Sequence, residues 1–446
     1  AGLGHAGFES FLPMVTNPSI DLNAPPPDGP HYLLAVTDMA ERCPVVAHSA
    51  IYNDSGIKLV EKGARIDARL YDRLVQHRLQ DGIDGHLSAE NAVDLNAIAA
   101  LARQRCQEPL MQRMVQAVGG EARLLAPLES LPLPAPMAFK LTVMREQQPA
   151  LLAHSVGVML VALYLGLQSG LDVPGCTSLA AAALLHDIGV LHMDPIWRDP
   201  AHKVAGAGRK HLVAHPVTAM LLVRAQPDYP PAVAQAVLEH HERMDGTGYP
   251  RGLEGGRISA MGQVLLLAEV VAAFFDKYAD HPAQRLSLTL RLNHRKFPAP
   301  LVALVLPLLA DASTTGADPQ TMQHEAERHA SVLAQAFARW AQLRAPLAAS
   351  MPEAGAFIDA RLAALQKALT EAGAHPRQLA DMLPLLQGDG QGLAELALVG
   401  GEALWQLQAL VNAVQRRWPR LAERASAGDA AVADWCDACG QWLAGV

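Results

Sequence analysis

The sequence predicts a mainly α protein: a helical bundle domain preceded by a small N-terminal α+β module and followed by a helical C-terminal extension. Two observations carry that reading. Hydrophobic residues make up 50% of the chain and aromatics only 5%, with Ala and Leu dominant, a composition that favours helices over strands. Apolar runs of helical length recur from residue 139 onward, whereas strand-like residues gather in one short stretch. At 446 residues the chain exceeds one ordinary domain and can bury a large core without disulfides.

In order along the chain, residues 1–30 end in Asn23-Ala24-Pro25-Pro26-Pro27-Asp28-Gly29-Pro30 and read as a flexible lead-in. Residues 31–120 read as the α+β module, with two short strands over 50–60 around an Asn53-Asp54-Ser55-Gly56 turn and a helix over 67–78. Pro132, Pro134 and Pro136 mark a linker across 121–138. Residues 139–310 read as successive helices, among them 150–167, 178–186, 231–241 and 262–276. Residues 311–446 add amphipathic helices such as 325–344 and 356–372, punctuated by Gly388-Asp389-Gly390-Gln391-Gly392. No ligand pattern clusters in this extension, so packing or dimerisation is its expected role.

The formal net charge of −8 argues against a nucleic-acid-coating surface, so no DNA partner is expected. Five scattered cysteines do not form a secreted disulfide framework. Cys436-Asp437-Ala438-Cys439 follows Trp435 as in a redox site, but its Ala-rich flanks predict two cysteines on a terminal helix. No secretory signal is visible in Ala1 to Gly7. The apolar run 258–275 is interrupted by Gln263 and Glu269, and a charge at mid-span costs about 3 kcal/mol in a bilayer. A buried core helix, no membrane insertion and a cytoplasmic location are therefore expected.

Five pieces stand in order within 139–310: His154; His186-Asp187; His215; His240-His241-Glu242; and Glu269. Each alone is weak in a chain with 18 histidines. Together they differ, because each lies in or beside an apolar helix, where an unpaired polar group costs roughly 1–3 kcal/mol. Ala180 to Leu185 delivers His186 and Asp187, after which Gly189 is expected to let the helix stop; Ala232 to Leu238 delivers His240 and His241. Imidazoles repeatedly buried beside carboxylates are what a metal site requires.

His186-Asp187-Ile188-Gly189 resembles the HD signature of the HD phosphohydrolase superfamily. The run His240-His241-Glu242-Arg243-Met244-Asp245-Gly246-Thr247-Gly248-Tyr249-Pro250 resembles the longer signature of the HD-GYP family, with His215-Pro216 between the two motifs. The resemblance covers about 139–310, and the module before it is loosely similar to those that precede HD-GYP domains. It implies an HD-type helical bundle and a centre of two divalent metal ions, with His154, His186, Asp187 and Glu269 on one and Asp187, His215, His240 and His241 on the other. Asp187 is then the bridging and catalytic residue, because a carboxylate has two oxygens and a neutral imidazole one lone pair. Mostly imidazole ligation suits iron or manganese. Glu242 and Asp245 are expected to fix imidazole tautomers or the following loop, and Gly248, Tyr249 and Pro250 to meet substrate.

The implied activity is hydrolysis of cyclic di-GMP to linear pGpG, with a further step to GMP left open. The implied partners are cyclic di-GMP or a related cyclic dinucleotide, with a homodimer and contact with diguanylate cyclases as candidates. Several positions depart from the family pattern. Val190 stands where a lysine is usual, which removes a cation from the phosphate environment. Glu269 replaces the usual Asp, and Ala150 stands where a glutamate supports a third ion. Tyr278 and His281 occupy the offsets of phosphate-binding basic residues, for which Arg285 or Lys277 would have to substitute. The competing readings are a cyclic dinucleotide sensor without turnover and a hydrolase of another cyclic nucleotide.

Overall fold

The computed structural model describes residues 28–198, 209–279, 282–293, 295–309, 318–347, 351–386 and 388–445. The expected lead-in, apart from residues 28–30, lies outside the described residues, as does His281. The architecture is mainly α with two small antiparallel sheets. The chain divides into two compact units, one of residues 1–242 and 249–273, the other of 243–248 and 274–446. The boundary thus runs through the motif that follows His241, a division not visible in the sequence.

In the first unit, helix α1 (Pro30–Ala40) precedes strands β1 (Val45–Ala47), β2 (Ile51–Tyr52) and β3 (Lys58–Val60), helix α2 (Arg69–Val75) and strand β4 (Leu87–Ala89). β1 pairs with β4, setting Val45 opposite Ala89, and β2 pairs with β3. The β2–β3 connection is the Asn53-Asp54-Ser55-Gly56 turn, in which Asn53 Oδ1 accepts from Ser55 N and Ile57 N while Gly56 takes a φ of 74°. Asp94 caps α3 (Leu95–Arg105) by accepting from Ala97 N. Helices α4 (Pro109–Val118), α5 (Glu121–Leu125) and α6 (Ala135–Gln147) follow. Lys140 of α6 is buried, with its Nζ 2.5 Å from Asp84 Oδ2, and the Tyr32 hydroxyl donates to the same carboxylate. A buried ion pair persists only with such added hydrogen bonds.

Helices α7 (Pro149–Gln168) and α8 (Val173–Leu185) form the centre of this unit, joined by a turn at Gly170 with φ 78°. Their sequences explain the close pairing. α7 is apolar on all sides and buried along most of its length, and α8 presents the fully buried run Ala180 to Ala183. Each buried Leu or Val stabilises the pair by about 2 kcal/mol relative to exposure. The segments 149–168 and 173–192 are long and apolar enough to cross a membrane, but 78% and 72% of their apolar windows are buried, as in core helices of a globular fold. Helices α9 (Arg209–Arg224), α10 (Pro231–Glu239) and α11 (Ala260–Lys277) complete the set that carries the candidate ligands.

The second unit contains helices α12 (Pro282–Leu292), α13 (Ala299–Val305), α14 (Pro319–Arg344), α15 (Glu353–Glu371), α16 (Pro376–Met382), α17 (Gly390–Arg417) and α18 (Ala427–Ala444). Its core places Trp435 against Trp340 with ring centroids 5.5 Å apart, and each indole finds an acceptor, Ala336 O and Asp359 Oδ1. Cys436 and Cys439 lie buried on α18. Burial pushes the Cys436 thiol up to about 12 and that of Cys439 higher still, so both are inert thiols packed in a helix.

Candidate metal centre

His154 projects from α7, His186 and Asp187 from the end of α8, His215 from α9, His240 and His241 from the end of α10, and Glu269 from α11. Their donor atoms converge in two sets: His154, His186 and Glu269 in one, and Asp187, His215, His240 and His241 in the other, each with one donor atom per residue and all within 4.8 Å of one another. Asp187 stands between the sets. Its Oδ2 lies 3.5 Å from His186 Nε2, while its Oδ1 lies 3.2 Å from His215 Nε2 and 3.7 Å from His240 Nε2. Glu269 Oε2 lies 2.9 Å from His154 Nε2 and 3.3 Å from His186 Nε2.

Local chemistry fixes the imidazoles. The Nδ1 atoms of His186, His215 and His240 lie 2.7, 2.6 and 2.6 Å from the carbonyl oxygens of Ala183, Leu212 and Val237, each three residues earlier. A carbonyl can only accept, so Nδ1 carries the proton and donates it, and Nε2 is left to face the site. All three carbonyls are available for a reason. Ala183 and Val237 stand in the last turns of α8 and α10, where carbonyls lack a following amide. Leu212 lies in the first turn of α9, and Pro216, four residues on, has no N–H to give it. Of the two roles expected for Glu242 and Asp245, contacts to the following loop are seen: Glu242 accepts from Arg251 N and Leu253 N, and Asp245 from the amide and hydroxyl of Thr247.

Gly189 is corrected. Its φ is not left-handed, and it does not act as a helix stop. A Cβ there would meet His215 O at 2.2 Å and Ala219 N at 2.8 Å, so the absent side chain is what lets the Asp187 turn close against α9. Glu239, which the sequence reading passed over, is fully buried and accepts from Ser259 N, Ser259 Oγ and Arg251 Nη2, tying the end of α10 to the start of α11. Its signal was a carboxylate directly before two buried histidines.

Electrostatics follow from this crowding. Burial would raise the carboxyl of Asp187, but His186 and His215 outweigh it and hold it well below the usual range; His154 and His186 do the same to Glu269. Burial opposes a charge on His186, yet the Asp187 and Glu269 carboxylates outweigh it and raise this imidazole to about 10. Burial and then the neighbouring His186 charge push His240 down to about 3, and burial with His240 holds His241 well below its usual value. His186 Nε2 and Asp187 Oδ1 are buried and make no bond of hydrogen-bond geometry among the described residues. Donors that share one ion at ~2.1 Å stand roughly 3.0–3.5 Å apart, and within the two sets the distances given above run from 2.9 to 3.7 Å. The imidazole and carboxylate donors fit divalent transition ions.

Tyr249 lies on the ring of His241, with centroids 4.6 Å apart, and its amide donates to His241 O; the Tyr249-Pro250 peptide is cis. Gly248 offers its carbonyl to Arg416, and Arg285 lies with its guanidinium 5.0 Å from the centroid of Tyr278. Residues 138–293 match a family model described as HD domain. This segment is similar to HD domains. Over 96 residues the chain is 38% identical to a 3'3'-cGAMP-specific phosphodiesterase of Vibrio cholerae, covering 21% of this chain and 20% of that protein. Over 121 residues it is 33% identical to the cyclic di-GMP phosphodiesterase PA4108 of Pseudomonas aeruginosa, covering 27% and 29%. The chain thus spans between a fifth and three tenths of the length of these curated relatives. A solved HDG"Y"P protein, Bd1817 of Bdellovibrio bacteriovorus, aligns with a TM-score of 0.34 and 17% identity over 59% of this chain and 95% of that one.

Proposed function

We propose that the HD-GYP domain is a metal-dependent phosphodiesterase that opens cyclic di-GMP to linear pGpG. The observation that carries this reading is the placement of Asp187, whose two oxygens face different imidazole sets. One carboxylate can then serve two ions, iron or manganese by donor type. His154, His186, Asp187 and Glu269 would hold the first ion, and Asp187, His215, His240 and His241 the second. Two such ions supply Lewis acidity and a water acidified toward neutral pH. The chain's own residues prepare that chemistry. Nδ1–H donation to carbonyls presents His186, His215 and His240 with Nε2 toward the site. Tyr249 offers a ring face and hydroxyl beside His241, with Gly248 and Pro250 shaping its loop and Arg285 as a candidate phosphate contact. The names of the relatives, phosphodiesterases for cyclic di-GMP and for 3'3'-cGAMP, support the substrate class. A cytoplasmic location fits five free, buried cysteines.

A sensor without turnover is the second reading, favoured by Val190. This side chain is 6% exposed within the turn 188–192 and supplies no cation beside the site. Incubating manganese- or iron-loaded protein with cyclic di-GMP, 3'3'-cGAMP and linear dinucleotides, then separating products, decides between them. Linear pGpG is expected from cyclic di-GMP, with loss of product on chelation. Binding with full metal occupancy and no product over many hours would replace the enzyme by the sensor.

A further inference from the structure

The motif between His241 and Tyr249 is held in an unusual way. Residues 243–248 pack as part of the second unit, although both flanks belong to the first. Four successive carbonyls of this loop each receive a guanidinium N–H. Arg361 of α15 donates to Asp245 O, Arg417 to Gly246 O at 3.4 Å, and Arg416 to Thr247 O at 3.0 Å and also to Gly248 O. Met244 N donates to Lys296 O, so the amide side is engaged from the second unit too. Two of the arginines are braced by aromatic rings: Arg361 and Arg417 lie 4.2 and 4.9 Å from the Phe357 ring centroid, and Arg417 lies 5.3 Å from that of Trp418.

Thr247 bonds Asp245 through its amide and hydroxyl, but Gly246 and Gly248 have no side chain by which to fix themselves, and Gly246 adopts a φ of 76°. Glycines have many accessible backbone states, so contacts to the loop carbonyls add to its definition. The next residue is Tyr249, whose amide is bonded to His241 O and whose ring lies on the His241 ring. We infer that Arg416, with Arg361 and Arg417, is a positioning residue of the centre: the C-terminal helices hold the loop carbonyls and thereby set Tyr249 for the substrate. The inference rests on the phosphodiesterase reading in so far as Tyr249 meets substrate; the clasp itself does not.

The test uses full-length Arg416→Ala, Arg416→Lys and Arg361→Ala with manganese loaded. Hydrogen exchange of the peptide spanning 243–250 is measured beside kcat/KM for cyclic di-GMP and for bis(p-nitrophenyl) phosphate, a small diester that needs ions but no shaped loop. Arg416→Ala is expected to speed loop exchange about tenfold. It should lower kcat/KM for cyclic di-GMP about tenfold, because small misplacements of a positioning group are costly. Manganese content and small-diester cleavage should stay within about twofold, and Arg416→Lys, which keeps the charge and a donor, should recover part of the loss. Unchanged loop exchange, or a parallel fall with both substrates, overturns the inference. If Arg416→Ala does not fold, the same comparison with Arg416→Lys decides. If the wild type cleaves no cyclic dinucleotide, the phosphodiesterase reading fails while the exchange measurement still upholds or overturns the clasp.

Discussion

The imidazoles of His186, His215 and His240 take their orientation from carbonyls three residues earlier, whereas the loop 243–248 takes its shape from arginines 116 to 171 residues later. The first arrangement is written into single helices and is complete once each helix ends or meets its proline. The second exists only when α15 and α17 are folded and in place. The two halves of one motif therefore differ in what they depend on: the orientation of the candidate ligands on local helix ends, the contacts of the loop on the packing of distant helices. Perturbing the extension should disturb the loop and spare the ions.

The largest expected effect tests the ligand half. Asp187→Ala removes the carboxylate that faces both sets, so elemental analysis should show both ions lost and activity reduced by at least about 10³-fold, more than loss of a single stabilising donor. Retention of one full equivalent would show that Asp187 serves one ion and end the two-ion assignment. A smaller effect is expected at Glu269, whose carboxylate faces the first set. Glu269→Gln should leave about one ion per chain, whereas Glu269→Asp should keep most of both. Full occupancy in the Gln variant would make Glu269 merely the counter-charge of His186. The smallest effect concerns Pro216. Pro216→Ala restores an amide that competes for Leu212 O, loosening the hold on His215 Nδ1. Weakening of the second ion by about tenfold is expected in a competition titration, the usual scale for an orienting partner of a metal ligand. Exchange of the loop 243–248 should not change, and a change there would break the separation between local and distant control.

The same separation explains what could be read from the sequence. Helix runs predicted over 150–167, 178–186 and 262–276 stand in the structure as 149–168, 173–185 and 260–277. Apolar periodicity locates helices well, while their ends depend on caps such as Asp172 upstream of α8. Of the seven residues that converge in two donor sets, His186-Asp187 and His240-His241 were visible because they lie at the ends of strongly apolar helices. The carbonyl devices were half visible: Pro216 was on the page, but its effect on Leu212 needs a helix through it. Glu239 was marked only by its place before His240 and His241, and the three arginines were not visible, since nothing local marks a guanidinium whose partners are brought by tertiary packing. Gly189 was seen, and its reason misread, because close approach to His215 is a property of two helices and not of one.

That glycine also bears on transplanting the centre into another scaffold. The distance between the Asp187 turn and α9 is set by bare backbone contact, with Gly189 acting as a spacer one hydrogen wide where a methyl would stand 2.2 Å from His215 O. A graft that copied the ligands but placed any other residue at that point would force the two backbones apart and leave Asp187 and His215 out of register. The portable unit is therefore larger than its ligand set: it includes the glycine that sets the gap and the proline that orients the histidine across it.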